Sequence, residues 1–188
     1  MQQIIPGTVI VCDESFTGKA FSQIEPVFSL TGGLTLAQVR EITGLETSTL
    51  QNWVRRGWVP QPVNKRYLKR SLLRILLINS VRGTLQIEKI ATLMRYINGD
   101  VEDTGDDIIS DEDLFNVFCK IIFQVTPSGM IRKDEIDRII AYNLEDYEEK
   151  ETGTKKRLQT ALYVMVMAYV AARIKDISNE AFDDNITF

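Results

Sequence analysis

Between Thr35 and Tyr67 the chain alternates helical periodicity with stop signals so closely that few architectures can hold it. Thr35-Leu36-Ala37-Gln38 has the spacing of a capping box, in which Thr35 caps free N–H groups and Gln38 reaches back to the Thr35 amide. Leu36, Val39 and Ile42 follow at helical spacing, and Gly44 ends the helix. A second helix is expected from Thr47 or Ser48, where Ser48 and Gln51 are spaced for another capping box, to Gly57. Its inward stripe is Leu50, Trp53 and Val54. Pro60 and Pro62 then exclude helix from Trp58–Tyr67, which reads as an extended loop or small wing. Two short helices joined by a Gly-containing turn make a helix-turn-helix candidate.

The flanking segments are simpler. Residues 1–34 carry weak periodicity: Ile4, Ile5, Val9, Ile10 and Val11 suit a short strand, and Phe16, Phe21, Ile24, Val27, Phe28 and Leu30 suit an arm or short helix. Pro6, Gly7, Gly18, Pro26, Gly32 and Gly33 interrupt them, so an irregular segment packed on the helical body is expected. Apolar positions predict helices over about 69–82 and about 85–97, separated by Gly83-Thr84 and closed by Asn98-Gly99. An acidic linker, 100–109, leads to a helix capped by Ser110, a turn at Pro127-Ser128-Gly129, a helix from about Lys133, and a long apolar helix from about Thr154 to Ile174. From Ser178 a loose polar tail is expected. The fold class is therefore all-α. It is divided into an irregular segment (1–34), a winged helix-turn-helix with a small wing (35–99) and an acidic domain of about three helices (100–188).

Charge sorts along the same lines. The net charge of −4 hides a middle section, 35–99, with eleven Lys/Arg against Glu41, Glu46 and Glu88, a net of +8. Residues 1–34 carry −2 and residues 100–188 carry −10. Seven of the eleven cations lie between Arg55 and Arg74, which is the electrostatic footprint of a nucleic-acid surface. It is equally the pattern of a solvated face that pairs with the acidic C-terminal part. The second helix favours the first reading, because its outward set is Thr47, Ser48, Thr49, Gln51, Asn52, Arg55 and Arg56. Short polar groups, amides and arginines are the side chains that reach base edges and phosphates in a major groove. The wing would bring Lys65, Arg66 and Tyr67 to the adjacent backbone, with Lys69 and Arg70 completing the candidate DNA-binding set. Trp53 and Trp58 read as packing residues.

Other function classes lack their residues. Histidine is absent, which removes the commonest general base and the commonest metal ligand. Cys12 and Cys119 are far apart in sequence and read as free thiols in a reducing compartment rather than half of a zinc site. Thr31-Gly32-Gly33 is a loop, not a phosphate-cradling P-loop. Asp134, Glu135 and Asp137 are explained as helix-start charges, and no nucleophile–base pair is evident. No enzyme activity, cofactor or metal is expected. Leu158–Ala172 is the most apolar stretch, yet it is shorter than the ~18–20 residues of a membrane span, contains Gln159 and Tyr163 and ends at Arg173. With no signal peptide evident, a cytoplasmic protein that does not enter a membrane is expected.

Thr35–Gly99 resembles the DNA-binding domain of MerR-type regulators. The resemblance is carried, in order, by Gly44-Leu45, Thr49-Leu50-Gln51-Asn52-Trp53, Gly57-Trp58-Val59-Pro60, Lys65-Arg66-Tyr67 and Gly83-Thr84-Leu85-Gln86-Ile87-Glu88-Lys89-Ile90. Gln51-Asn52 stands where that family has Arg-Tyr, so its DNA contacts do not transfer, and the wing is several residues shorter. The whole chain looks closer to an uncharacterised bacterial family, typical of low-GC Gram-positive organisms, that joins such a domain to extra C-terminal helices. The resemblance implies a DNA-binding transcriptional regulator with double-stranded DNA as partner. A homodimer through the C-terminal helices would double the site. The alternative is a protein-interaction module on a degenerate winged helix. Exposure separates the two: pairing of Arg55, Lys65 and Lys69 with the acidic 100–113 run would weigh against DNA.

Overall fold

The computed structural model describes residues 3–12, 19–101, 103–125 and 132–186. Among them the chain is mostly helical, with eight α-helices and one two-stranded ladder. The ladder pairs β1 (Gln3–Ile4) with β2 (Val11–Cys12) antiparallel, Ile4 opposite Val11. A 3-10 turn (Ala20–Gln23) leads into α1 (Glu25–Thr31). The N-terminal section is thus more regular than expected: the apolar run folds back as two short strands instead of one. Phe16 and Gly18 lie outside the described residues, as does the turn expected at Pro127-Ser128-Gly129.

α2 (Leu36–Thr43) has the capping box its sequence prescribes. Gln38 N donates to Thr35 Oγ1 at 3.3 Å, and Thr35 N donates to Gln38 Oε1 at 2.9 Å. α3 (Thr47–Arg55) starts from Glu46, which makes no side-chain cap, so the box expected at Ser48 and Gln51 does not form. Leu45 and Leu50 are both buried and stand at the two positions of a hydrophobic staple, which fixes the chain's entry so that α3 starts at Thr47, one of its two expected starts. After α3 the chain is extended to Tyr67, broken by a tight turn at Val63–Arg66.

α4 (Lys69–Val81) is the centre of the molecule. It is buried from Ser71 to Ile78 and packs on α2, α5, α6 and α8. A helix apolar all round must be covered on every side, and here the covers come from both halves of the chain. α5 (Ile87–Asn98) and α6 (Asp111–Val125) follow, α6 capped by Ser110, whose Oγ accepts from Asp113 N at 3.0 Å. α7 (Lys133–Asn143) packs between α6 and α8. α8 (Thr154–Asn185) runs eleven residues past Ile174, so the stretch expected as a loose tail is helical, although every residue from Ile174 to Ile186 is exposed. One apolar core extends from Ile5 to Ala168. No described helix is long and apolar enough to cross a membrane.

Candidate nucleic-acid interface

α3 divides into two faces. Leu50, Trp53 and Val54 are buried against the core. Ser48, Gln51, Arg55 and Arg56 are exposed, and Thr47, Thr49 and Asn52 are half-buried between the faces. Ser48, Gln51, Asn52 and Arg55 are three, four and seven apart, so they form one stripe along the helix. Arg55 Nη2 donates to Asn52 Oδ1 at 2.9 Å, which holds the guanidinium against the amide and leaves its other N–H groups free to donate. Arg56 lies over the Trp58 ring at 5.1 Å, with its Nη1 3.7 Å from Glu88 Oε1. At these exposures that ion pair contributes little and breaks easily.

The turn after α3 is a two-residue hairpin. Val63 N donates to Arg66 O, and Arg66 N to Val63 O, both at 2.9 Å. Its central residues, Asn64 and Lys65, have φ of 49° and 63°. Such a turn needs positive φ at both positions, for which Asn-Gly is the cheapest pair. Lys65 therefore places a cation at the tip at a cost in backbone energy, and it has no ion partner among the described residues. Arg66 is half-buried and its Nη1 donates to Gly33 O at 3.0 Å.

The remaining expected contacts lie elsewhere. Tyr67 is 4% exposed; its backbone pairs with Leu34, and burial pushes its phenol pKa up. It packs in the core and does not present itself beside Arg66. Lys69 turns toward the acidic part of the chain, its Nζ 2.8 Å from both Glu25 Oε1 and Glu112 Oε2. The hydrogen bond to Glu112, then that to Glu25, hold its ammonium pKa above the ordinary value. Arg70 bridges Asp107 and Asp111, each at 3.5 Å. Behind it the buried Arg74 has Nη2 3.4 Å from Asp111 Oδ1, and desolvation pulls its pKa down. Burial raises the pKa of Asp107. Asn98 Nδ2 also donates to Asp111 Oδ1, at 3.3 Å.

The basic patch thus splits in two. Arg55, Arg56, Lys65 and Arg66 remain on the α3–hairpin side, while Lys69, Arg70 and Arg74 tie α4 to the start of α6 and its preceding loop. Sequence reasoning placed Arg74 in a basic surface and missed the ion-pair cluster. The signal was present: a lone arginine inside Leu72-Leu73-Arg74-Ile75-Leu76-Leu77 can only be buried, and a buried charge requires a counter-charge.

A family model described as a domain of unknown function (DUF1836) matches residues 25–118, half of the chain. The chain belongs to this family. The match begins at Glu25, runs through α2–α5 and ends at Phe118 in α6. It therefore contains every member of the Lys69–Arg70–Arg74 cluster together with its acidic partners, and it crosses the expected division at residue 99. No curated protein and no solved structure matches the chain.

Proposed function

We propose that α2–α5 form a MerR-like winged helix-turn-helix and that the protein is a cytoplasmic DNA-binding regulator. α3 enters the major groove of double-stranded DNA, and the Val63–Arg66 hairpin is a rudimentary wing on the adjacent backbone. The observation that carries this reading is the exposed α3 stripe of Ser48, Gln51 and Arg55, with Arg56 beside it and Lys65 held at a strained hairpin tip. Gln51 and Asn52 carry the donor–acceptor pair that reads adenine, and Arg55 reads guanine or neutralises phosphate. Tyr67, Lys69 and Arg70 take no part. The acidic C-terminal helices face away from DNA by repulsion. Two copies associate through the outer part of α8, where Ile174, Ile177 and Phe182 are more than half exposed. Selection of bound fragments from a random duplex pool tests the reading directly. A defined motif, lost in an Arg55→Ala, Arg56→Ala double variant that keeps its helical signal, is the expected result; an unenriched pool rejects it.

A second reading has support of its own. Lys69 and Arg70 are consumed by Glu25, Glu112, Asp107 and Asp111, so part of the basic patch serves the fold. A protein-interaction module on a degenerate winged helix would use the remaining cations to dock an acidic partner. It predicts no duplex retention at any salt concentration.

A further inference from the structure

A cavity of about 440 Å³ opens between the C-terminal end of α3, α4 and α5. Its walls are apolar, with Trp58 on one side and Ile78, Ile87, Ala91 and Met94 on the others. Arg74 is the buried charged residue among the lining groups. It lines the cavity, yet its side chain is only 3% exposed. Its counter-charge, Asp111, is shared with Arg70 and with the Asn98 amide. Neither Nε nor Nη2 of Arg74 has a hydrogen-bond partner of adequate geometry among the described residues. Arg95 and Asp100 also line the cavity, both on its solvent side. A buried guanidinium with donors unmet is the fork that a carboxylate matches, even though Asp107 and Asp111 together balance the charges of Arg70 and Arg74. The volume falls within the range of small-molecule sites, and apolar walls with a few charged groups are their usual lining.

We infer that this cavity binds a small organic carboxylate with an apolar body, the carboxylate on Arg74 and the body against Trp58 and α5. The site lies directly behind Gly57 and Trp58, so a bound molecule bears on the end of α3. Occupancy itself does not depend on the DNA-binding reading and is measured without DNA.

Phenylacetate and hexanoate, each beside its neutral amide, are titrated into the full chain by ligand-observed NMR. Emission of Trp58 is followed in a Trp53→Phe background. The expected result is a saturable response to at least one carboxylate, with millimolar or tighter affinity and at least about tenfold preference over its amide. Arg74→Met removes the response. Because that substitution also touches the ion-pair cluster, Ala91→Leu provides a second arm: it fills the cavity from α5, leaves the charges in place and abolishes binding in a folded protein. No saturable response to either acid means a cavity that holds water only, and it overturns the inference. Equal binding of acid and amide, or binding that survives both substitutions, overturns it too.

Discussion

Lys65 occupies a left-handed backbone position with its side chain exposed. A non-glycine residue there costs roughly 1–2 kcal/mol. Lys65→Gly is therefore expected to raise stability by up to about 1 kcal/mol in urea denaturation while weakening duplex binding. Binding that rises along with stability would remove the hairpin tip from the interface. Asp111 is the opposite case, since its carboxylate is the counter-charge to the buried Arg74. Asp111→Ala leaves that guanidinium uncompensated and should cost about 3–5 kcal/mol. An apolar double replacement, Arg74→Met with Asp111→Leu, should recover most of the loss, because neither charge then needs solvation. Tyr169 governs the alkaline limit. Burial lifts its phenol pKa from 10.0 to about 12. A pKa raised in the folded state gives stability that is full below the unfolded value and lost as pH rises through the folded one. The denaturation midpoint should fall between pH 10 and about 12, with Lys69, Tyr67 and the buried Cys119 thiol, all raised, adding to the loss. Tyr169→Phe should flatten that fall; an unchanged slope would assign it to Cys119, Lys69 and Tyr67.

At the scale of elements, α4 and α8 behave differently along their lengths. The N-terminal turn is clamped to α4. Asn79 Nδ2 donates to Gly7 O at 2.9 Å, and a Cβ on Gly7 (φ 77°) would collide with Leu76 O. Gly7→Ala forces both the backbone conformation and the contact, so a loss above about 2 kcal/mol is expected. The first half of α8 is bound into the core through Leu158, Ala161, Leu162, Met165 and Val166. Thr84 Oγ1 donates to Ala168 O at 2.9 Å, and Arg157 Nη2 to Ile97 O at 2.8 Å. Beyond Arg173 the helix has no buried residue. Ending the chain at Lys175 should leave monomer stability within about 0.5 kcal/mol, read by urea denaturation at low protein concentration. The same truncation should convert a dimer to a monomer in sedimentation. A truncated chain that still dimerises would move the interface off α8.

For the whole molecule, the number of outward cations sets the response to salt. Arg55, Arg56, Lys65 and Arg66 are four per copy, so log K against log salt should have a slope of about −4 for one copy and about −7 for two. A steeper slope would mean that Lys69 and Arg70 leave their carboxylate partners on binding.

What local chemistry specifies was readable along the chain. Thr35 and Gln38 make their box, Gly44 ends α2, the two prolines keep 58–67 out of helix, and the inward and outward faces of α3 follow from spacing alone. These features depend on residues within one or two turns of each other, so the sequence determines them by itself. Tertiary structure decided the rest, because burial and pairing depend on residues distant in the chain. Leu45 is drawn into the core opposite Leu50, and α3 enters from Glu46 without the capping box expected at Ser48 and Gln51. Tyr67 sits on the buried side of a strap whose facing needed Leu34 to be known. Lys69, Arg70 and Arg74 look like their exposed neighbours in composition, yet they meet Glu25 and the 107–112 carboxylates, up to 44 residues away. A charge pattern states how many cations a segment holds. Only the fold states which of them face solvent, since Coulomb attraction to a distant carboxylate competes with hydration, and desolvation in the core decides between them.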